Sequence, residues 1–275
     1  MKFSTHIILV SFLAVFVLSS CRQKQTTEIR DDFKKLYDQY NVEGSFVIYD
    51  QNADKYTFYN KPQYKTQFIP ASTFKICNSL IGLETGVIKD ENFLIKWDSI
   101  KRRDIWDKDH TLKTAFPNSV VWYYQELARR VGGQKMKYWL DKAQYGNADT
   151  SGGIDKFWLS GGLRISPEQQ IGFLRRLHDN KLPFSQRSVD IVKNIMIVKD
   201  TAGYVMRAKT GWSSQDGKEI GWYVGYVETA GNVYYFSNCV QTLSQNTKDA
   251  EKSEQFDKSR REIVDNILKE LKVIE

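Results

Sequence analysis

The segment EIGWYVGYVETAGNVYYFSNCV, residues 219–240, decides the fold class of this 275-residue chain. It contains two runs rich in β-branched and aromatic residues, Glu219–Thr229 and Val233–Val240, with an Ala-Gly pair between them. Such a pattern predicts two antiparallel strands joined by a tight turn. A third strand is predicted just before them, at Tyr204–Thr210.

Further strands are predicted near the N-terminus. Ser45–Tyr49 and Lys55–Asn60 have strand composition, and polar turn residues lie between them. The apolar residues of Thr27–Tyr40 have helical spacing, and Thr27 is a suitable N-cap, so a helix is predicted there. At the other end of the chain, Lys252–Lys272 is predicted to form a long amphipathic helix.

Between these end regions the pattern is mostly helical, from Ser72 to about Asp179. The predicted helices are Thr73–Glu84, Val120–Val131, Met136–Lys142 and Pro167–His178. Strand pairs at both ends of a chain predict one antiparallel sheet assembled from distant segments. We therefore expect an α+β fold, with the terminal helices on one face of the sheet and the helical lobe on the other. A cleft between sheet and helices is the expected place for chemistry.

The first residues have the features of an export signal. Lys2 precedes an apolar run of 12 residues, Ile7–Leu18, which is too short to span a bilayer but suits a secretory signal. The following Leu18-Ser19-Ser20-Cys21 resembles the bacterial lipoprotein signal. We expect a signal peptide at residues 1–20, one domain at residues 21–275, and an exported, membrane-anchored lipoprotein, periplasmic or on the outer surface. Cleavage by the ordinary signal peptidase, with Cys21 incidental, is the alternative.

Composition excludes several classes of protein. The chain has 41% hydrophobic and 27% charged residues, which is typical of a globular protein. Its net charge of +7 is not gathered on one segment, since basic Lys101–Arg103 runs straight into Asp104, so no nucleic-acid partner is expected. Three histidines without ligand spacing predict no metal site. Cys77 and Cys239 lie in apolar stretches and are either a disulfide pair or buried thiols.

The segment Pro70-Ala71-Ser72-Thr73-Phe74-Lys75 carries the first chemical signal. Ser72 and Lys75 are one helical turn apart and therefore share a face. A serine becomes a good nucleophile when a base takes its proton, and a lysine serves as that base only when its amine is neutral. Burial among apolar neighbours would lower the lysine pKa and supply that condition. Taken alone, the S-x-x-K pattern also fits an N-capping serine with a surface lysine.

Two further motifs contain hydroxyl and amine groups. Lys209-Thr210-Gly211 ends a predicted strand and offers a fixed charge, a hydroxyl donor and a residue that permits close approach. The alternative is a charged edge residue before a turn. Ser119, followed by Val120 and Val121, begins a predicted helix and could place a second hydroxyl beside the first, or simply cap that helix.

Taken in their order along the chain, the three motifs resemble those of the serine β-lactamases and penicillin-binding proteins. Tyr145-Gly146-Asn147 and Lys156-Phe157-Trp158-Leu159 narrow the resemblance to the class D, oxacillinase-type β-lactamases. The similarity covers nearly the whole chain after the predicted signal. It implies the serine β-lactamase/transpeptidase-like fold and hydrolysis of the β-lactam ring of penicillin-type antibiotics, with resistance as the consequence.

The resemblance also implies roles for individual residues. Ser72 would attack the β-lactam carbonyl and become an acyl-ester. Carbon dioxide would carboxylate Lys75, and the resulting carbamate would act as general base in acylation and deacylation, with no dissociable cofactor. The indole N–H of Trp158 would donate to the carbamate. Val120 and Leu159 would keep that pocket dry.

Other residues are expected to hold the substrate. By the same resemblance, Ser119 would relay a proton to the leaving lactam nitrogen. Lys209 and Thr210 would face the substrate carboxylate, together with an arginine of the last helix. Arg260 is the best match for that arginine, and Arg261 is the alternative.

The backbone N–H groups of Ser72 and Trp212 would form the oxyanion hole.

Three other functions compete with hydrolysis. A β-lactam sensor would be acylated but would deacylate slowly, and it would need several transmembrane helices ahead of the domain, which are not seen after the signal. A cell-wall transpeptidase commonly carries S-x-N where this chain has Ser119-x-Val. An inactive lipoprotein is disfavoured by the complete motif set. The substrate range and the formation of a homodimer are left open.

Overall fold

The structure, a computed structural model, describes residues 25–243 and 250–275. The predicted signal peptide and Cys21 lie outside the described residues. The strands are β1 (Thr26–Ile29), β2 (Val42–Asp50), β3 (Lys55–Tyr59), β4 (Leu94–Ile95), β5 (His110–Thr111), β6 (Ile197–Asp200), β7 (Tyr204–Gln215), β8 (Lys218–Thr229) and β9 (Asn232–Thr242). The α-helices are α1 (Lys34–Asp38), α2 (Lys75–Glu84), α3 (Leu112–Ala115), α4 (Val121–Val131), α5 (Gly133–Ala143), α6 (Pro167–His178), α7 (Gln186–Ile195) and α8 (Ala250–Glu270).

A seven-stranded sheet forms the centre of the molecule, in the order β1-β3-β2-β9-β8-β7-β6. The predicted hairpin of β8 and β9 is confirmed: Thr229 pairs with Asn232, and Gly231 takes the turn conformation at φ +94°. Strands from both ends of the chain meet where β2 pairs with β9. Every neighbouring pair is antiparallel except β1 and β3, so the sheet is mixed rather than wholly antiparallel.

The predicted helix at Thr27–Tyr40 is wrong over its first half. Residues Thr26–Ile29 instead form the edge strand β1, which pairs in parallel with β3. This stretch contains two threonines and an isoleucine, which suit a strand, and the Lys55 ammonium lies 2.6 Å from the Glu28 carboxylate across the pair. Only the second half is helical, as a short 3-10 turn followed by α1.

Helices cover both faces of the sheet, as predicted. On one face α1 and α8 pack together, with Phe33, Tyr37, Ile263 and Ile267 in their shared core. The larger core lies on the other face and contains the apolar residues of α2, α4, α5 and α6. α6 has the predicted bounds, whereas α7 was not predicted. Cys77 and Cys239 are both buried free thiols, which decides that question against a disulfide.

Candidate active site

Ser72 lies on a tight backbone turn at the entrance to α2. Residues Ala71–Phe74 form a 3-10 turn, and Ala71 takes a left-handed φ of +49°. The Ala71 N–H donates to the Trp158 carbonyl at 3.0 Å, and Thr73 Oγ1 donates to the Pro70 carbonyl at 2.8 Å. These bonds fix the turn so that Ser72 reaches the floor of a cleft. Ser72 is not an N-cap, because the residue before α2 is Phe74 and no side chain caps the helix.

Lys75 is fully buried beneath Ser72, so the reading of a surface lysine is wrong. Its Nζ lies 2.7 Å from Ser72 Oγ and 5.2 Å from the centroid of the Tyr124 ring. Burial lowers the pKa of Lys75 to about 7, because desolvation disfavours the ammonium form. A substantial fraction of the amine is therefore neutral at physiological pH, which the chemistry of a serine–lysine pair requires.

Trp158 is also fully buried and packs against Phe74 and Phe157, with ring centroids 5.3 and 4.9 Å away. Within residues 25–243 and 250–275, its indole Nε1–H has no hydrogen-bond partner. An unsatisfied buried donor costs about 1–3 kcal/mol, so such a group calls for an acceptor. Val120 is fully buried in the same core, and Leu159 is half-buried against it.

Ser119 and Lys209 are brought together from the helical lobe and the sheet. The Lys209 ammonium donates to Ser119 Oγ and, at 3.1 Å, to the Thr210 carbonyl. Burial holds the pKa of Lys209 well below its usual range, and the nearby charge of Lys75 acts in the same direction. Ser119 does not cap α4, because Val120 occupies the N-cap position and Ser119 takes a left-handed φ of +51°.

The end of the cleft beyond Lys209 is formed by β7 and α8. Arg260 is buried; its Nη1 donates to the Gly211 carbonyl at 2.9 Å, and it forms an ion pair with Asp257. Its guanidinium carbon lies 5.1 Å from the centroid of the Trp212 ring. Burial lowers the pKa of Arg260 to about 9, which leaves it charged at neutral pH. Arg261 is exposed and lines the same cleft.

The site opens into a cleft of about 520 Å³, and this volume is typical of small-ligand pockets. Among its lining residues are Ser72, Ser119, Thr210, Trp212 and Arg260. The predicted residues Lys75, Trp158 and Val120 lie beneath the cleft floor, fully buried. A larger cavity of about 810 Å³ shares Thr210 with this cleft but does not include Ser72, so the smaller cleft is the reaction site.

The Tyr145-Gly146-Asn147 motif holds the loop that carries Trp158. Asn147 Nδ2 donates to the Gly162 carbonyl at 2.9 Å, and Asn147 Oδ1 accepts from the Arg164 N–H at 2.9 Å. Gly146 has φ +56°, and a Cβ there would lie 2.1 Å from the Arg164 carbonyl oxygen. The motif is therefore structural, and it acts on the site through Trp158.

The cleft residues that were not predicted from the sequence include Arg103, Trp106 and Asn118. The first two belong to the irregular segment between β4 and β5, where no periodic pattern marks a site. The Trp106 Nε1–H donates to the Asn118 carbonyl at 2.9 Å, which places this segment against the residue before Ser119.

No group of three or more His, Cys, Asp or Glu residues in the described ranges could hold a metal ion. Nor does any helix in that part of the chain have the length and apolar character needed to cross a membrane.

Comparison with known proteins agrees with this geometry. The Transpeptidase family, described as the penicillin binding protein transpeptidase domain, matches residues 39–269. β-Lactamase OXA-48 of Klebsiella pneumoniae is 46% identical over 203 residues, which cover 73% of this chain and 76% of that protein. The crystal structure of a class D β-lactamase from Sebaldella termitidis superimposes with a TM-score of 0.85 at 36% identity, covering 91% of this chain and 99% of that one.

A receptor domain is also similar. The C-terminal domain of the BlaR penicillin receptor of Bacillus licheniformis has a TM-score of 0.82 at 33% identity, covering 91% of this chain and 98% of that one. The regulatory protein BlaR1 of the same organism is 35% identical over 213 residues, which are 77% of this chain but only 35% of that protein. Together with the serine–lysine site, these matches show that the chain belongs to the class D serine β-lactamases, enzymes with the transpeptidase fold of the penicillin-binding proteins.

Proposed function

We propose that this enzyme hydrolyses the β-lactam ring of penicillin-type antibiotics through an acyl-enzyme on Ser72, and thereby confers resistance. The observation that carries the proposal is the 2.7 Å contact between Ser72 Oγ and the amine of buried Lys75 at the floor of the cleft. A nucleophile and a base of lowered pKa, in hydrogen-bond contact and facing a cleft, suit acyl transfer.

Acylation begins when a base at Lys75 takes the Ser72 proton, so that Oγ attacks the lactam carbonyl carbon. The backbone N–H groups of Ser72 and Trp212 donate hydrogen bonds to the carbonyl oxygen and stabilise the negative charge that forms on it. Such donors are worth about 3–4 kcal/mol in the transition state. The close approach of β7 to the Ser72 turn supports this pairing: a Cβ on Gly211 would lie 2.9 Å from the Pro70 carbonyl oxygen.

Ring opening needs a proton on the departing lactam nitrogen. Ser119 is suited to relay it, because Ser119 lines the cleft and its hydroxyl accepts a hydrogen bond from the Lys209 ammonium, which can replace the proton that Ser119 gives to the nitrogen. The substrate carboxylate then belongs at Thr210 and Arg260, where a hydroxyl and a guanidinium reach the same cleft.

We further propose that carbon dioxide carboxylates the Lys75 amine. Two observations support the fit: burial brings the pKa of Lys75 to about 7, so the nucleophilic neutral amine is present, and the buried Trp158 indole N–H lacks an acceptor. When present, the carbamate would supply the general base for acylation and for the attack of water on the acyl-ester. Trp158 would donate a charge-assisted hydrogen bond to it. Val120 and Leu159 would limit the entry of water. Water in this pocket would favour protonation of the carbamate and loss of carbon dioxide.

The test is hydrolysis of the chromogenic cephalosporin nitrocefin by the purified protein lacking residues 1–20. We expect steady turnover, no turnover by Ser72→Ala, and a drug adduct on the wild type in intact-protein mass spectrometry. An adduct that persists in Ser72→Ala would show that the nucleophile is another residue.

A β-lactam sensor is the second candidate, and the similarity to the BlaR penicillin-receptor domain favours it. A sensor domain would form the same Ser72 acyl-ester and keep it. The nitrocefin experiment separates the two, since one stoichiometric burst without further turnover would identify a sensor.

For location, we propose that the protein is exported and anchored to a membrane by lipid on Cys21. The proposal rests on the Leu18-Ser19-Ser20-Cys21 sequence that follows the apolar run.

A further inference from the structure

A cationic side chain at the cleft rim has no part in the proposed mechanism. Arg103 is exposed, lines the cleft that contains Ser72, and lies in the irregular segment between β4 and β5. Its guanidinium carbon is 4.7 Å from the centroid of the Trp106 ring. In the described ranges, no carboxylate lies within ion-pair distance of this guanidinium, and no hydrogen bond to it is formed.

The neighbouring arginine is used differently. Arg102 Nη1 and Nη2 donate to the two carboxylate oxygens of Asp98 at 2.8 and 2.6 Å, and Nη1 also donates to the Ile100 carbonyl. Arg102 therefore holds the fold of the segment. The guanidinium N–H groups of Arg103 are therefore available to a ligand.

The ring beneath Arg103 is fixed with respect to the reaction site. Trp106 donates from Nε1 to the Asn118 carbonyl at 2.9 Å, and the Trp106 carbonyl accepts from Trp122 Nε1 at 2.8 Å. Asn118 directly precedes Ser119. A guanidinium stacked on an anchored indole loses less conformational entropy on binding than a free side chain, because its position is already restricted.

Among the residues that the structure describes, the acidic groups of the cleft do not neutralise this charge. Of the acidic cleft residues, Asp257 is paired with Arg260, and Glu219 accepts from the Trp212 indole at 2.6 Å. The carboxylate common to β-lactams is already assigned to Thr210 and Arg260. The Arg103 guanidinium is therefore available to pair with a second anionic group on a substrate.

We propose that Arg103 is a specificity-determining residue that favours β-lactams whose acyl side chain carries a carboxylate or sulfonate in addition to the ring carboxylate. The inference rests on the proposed function and names a substrate class for the same cleft. The interaction is made before and during acylation alike, so it acts mainly on KM rather than on kcat.

The experiment compares benzylpenicillin with α-carboxybenzylpenicillin, which differ by one side-chain carboxylate. We expect Arg103→Gln to lower the ratio of kcat/KM for the dianion to that for the monoanion by about two- to fivefold, which lies within the range of an exposed ion pair. Arg103→Lys should retain part of the preference. Lys101→Gln removes one charge from the same exposed segment but not from the cleft, and should leave the ratio unchanged. Raising the salt concentration should reduce the ratio more in the wild type than in Arg103→Gln.

Equal ratios in wild type and Arg103→Gln, with both penicillins hydrolysed, would overturn this inference and leave the proposed function intact. An equal loss in Lys101→Gln would show a general surface-charge effect and would also overturn it. If neither penicillin is turned over by the wild type, the proposed function fails and the inference fails with it.

Discussion

The ammonium of Lys209 on β7 donates a hydrogen bond to the hydroxyl of Ser119, 90 residues earlier in the chain. The contact joins the sheet to the helical lobe directly across the cleft. Both partners are in unfavourable environments. Burial desolvates the Lys209 amine, and Ser119 takes a left-handed backbone conformation. Strain and buried charge of this kind are concentrated at functional sites, because selection there is for reactivity rather than stability.

This contact predicts a specific defect in Ser119→Ala. Without the hydroxyl, the lactam nitrogen loses its proton donor, and we expect the acylation rate in single-turnover experiments to fall about 100-fold or more, as for other general acid–base groups. The Lys209 ammonium keeps the Thr210 carbonyl as an acceptor, so the fold should persist with a normal circular dichroism spectrum. An unchanged acylation rate would assign proton delivery to a different group.

The close approach of β7 to the Ser72 turn predicts that Gly211→Ala is damaging. The added Cβ would lie 2.9 Å from the Pro70 carbonyl oxygen and 3.1 Å from Thr73 Cγ2, so the strand or the turn must move. Displacements on the scale of 1 Å can cost about 100-fold in rate, and we expect a loss of that order in kcat.

Gly172→Ala is the matched control for this substitution. Gly172 lies within α6, and a Cβ there would meet nothing within 4 Å. Alanine should therefore stabilise the helix by about 0.5–1 kcal/mol without affecting kcat. If both alanine variants keep full activity, β7 and the Ser72 turn tolerate separation, and the oxyanion-hole geometry proposed above is wrong.

Burial of Lys75 predicts a pH-dependent cost to stability. Its pKa is about 7 in the folded protein and 10.5 in the reference state, so between these values the unfolded chain binds a proton that the folded protein does not. The unfolding free energy of the wild type should therefore rise with pH across this window, by up to about 1.4 kcal/mol per pH unit from this group. Below pH 7 the full penalty is present.

Lys75→Met removes that titration, so we expect the variant to be more stable than the wild type at pH 7 and the difference to shrink towards pH 10. Urea unfolding in degassed buffer at several pH values measures it, with exposed Lys96→Met as the control for loss of a lysine. A difference that does not depend on pH would mean that the amine is solvated in the folded protein.

Sequence reasoning succeeded where chemistry lies in short linear motifs. The contact between Ser72 and Lys75 follows from one helical turn, and the β8–β9 hairpin follows from composition and an Ala-Gly turn. It failed at β1, because the pairing of this edge strand with β3 overrides the helical spacing of the apolar residues that follow. Tertiary pairing of this kind is not encoded locally.

The rim of the cleft was beyond prediction for a different reason. Trp106 reaches the site through a hydrogen bond from its indole to a backbone carbonyl, and any residue type can supply that carbonyl. The unpartnered indole of Trp158 likewise became visible only with three-dimensional packing, although the tryptophan itself was part of a recognised motif.

The proposed anchor predicts that the mature protein begins at Cys21 and carries lipid. The full-length protein expressed in a bacterium should partition into the detergent phase of a two-phase extraction, and Cys21→Ser should move it to the aqueous phase or leave it unprocessed. Cys77→Ser alters a buried thiol instead and should not change partitioning. Equal partitioning of wild type and Cys21→Ser would favour the ordinary secretory signal.

The carbamate proposal is tested by Trp158→Phe, which removes the indole N–H and keeps an aromatic ring in the core. Without that donor the carbamate loses a charge-assisted hydrogen bond worth about 1.5–3 kcal/mol, so its occupancy should fall. Deacylation should suffer more than acylation, because water is a weaker nucleophile than the Ser72 alkoxide. Trapped acyl-enzyme should therefore accumulate in mass spectra of the variant.

The same proposal fixes the response to pH and bicarbonate. Because the pKa of Lys75 is about 7, lowering the pH below 7 protonates the amine and releases carbon dioxide, so activity should fall on the acid side. Added bicarbonate should restore activity, and Trp158→Phe should need more of it than the wild type. A plain lysine base would show the same acid limb but no response to bicarbonate. Equal rates in degassed and bicarbonate-supplemented buffer, for both proteins at pH 6 to 8, would exclude the carbamate and leave the neutral Lys75 amine as the base.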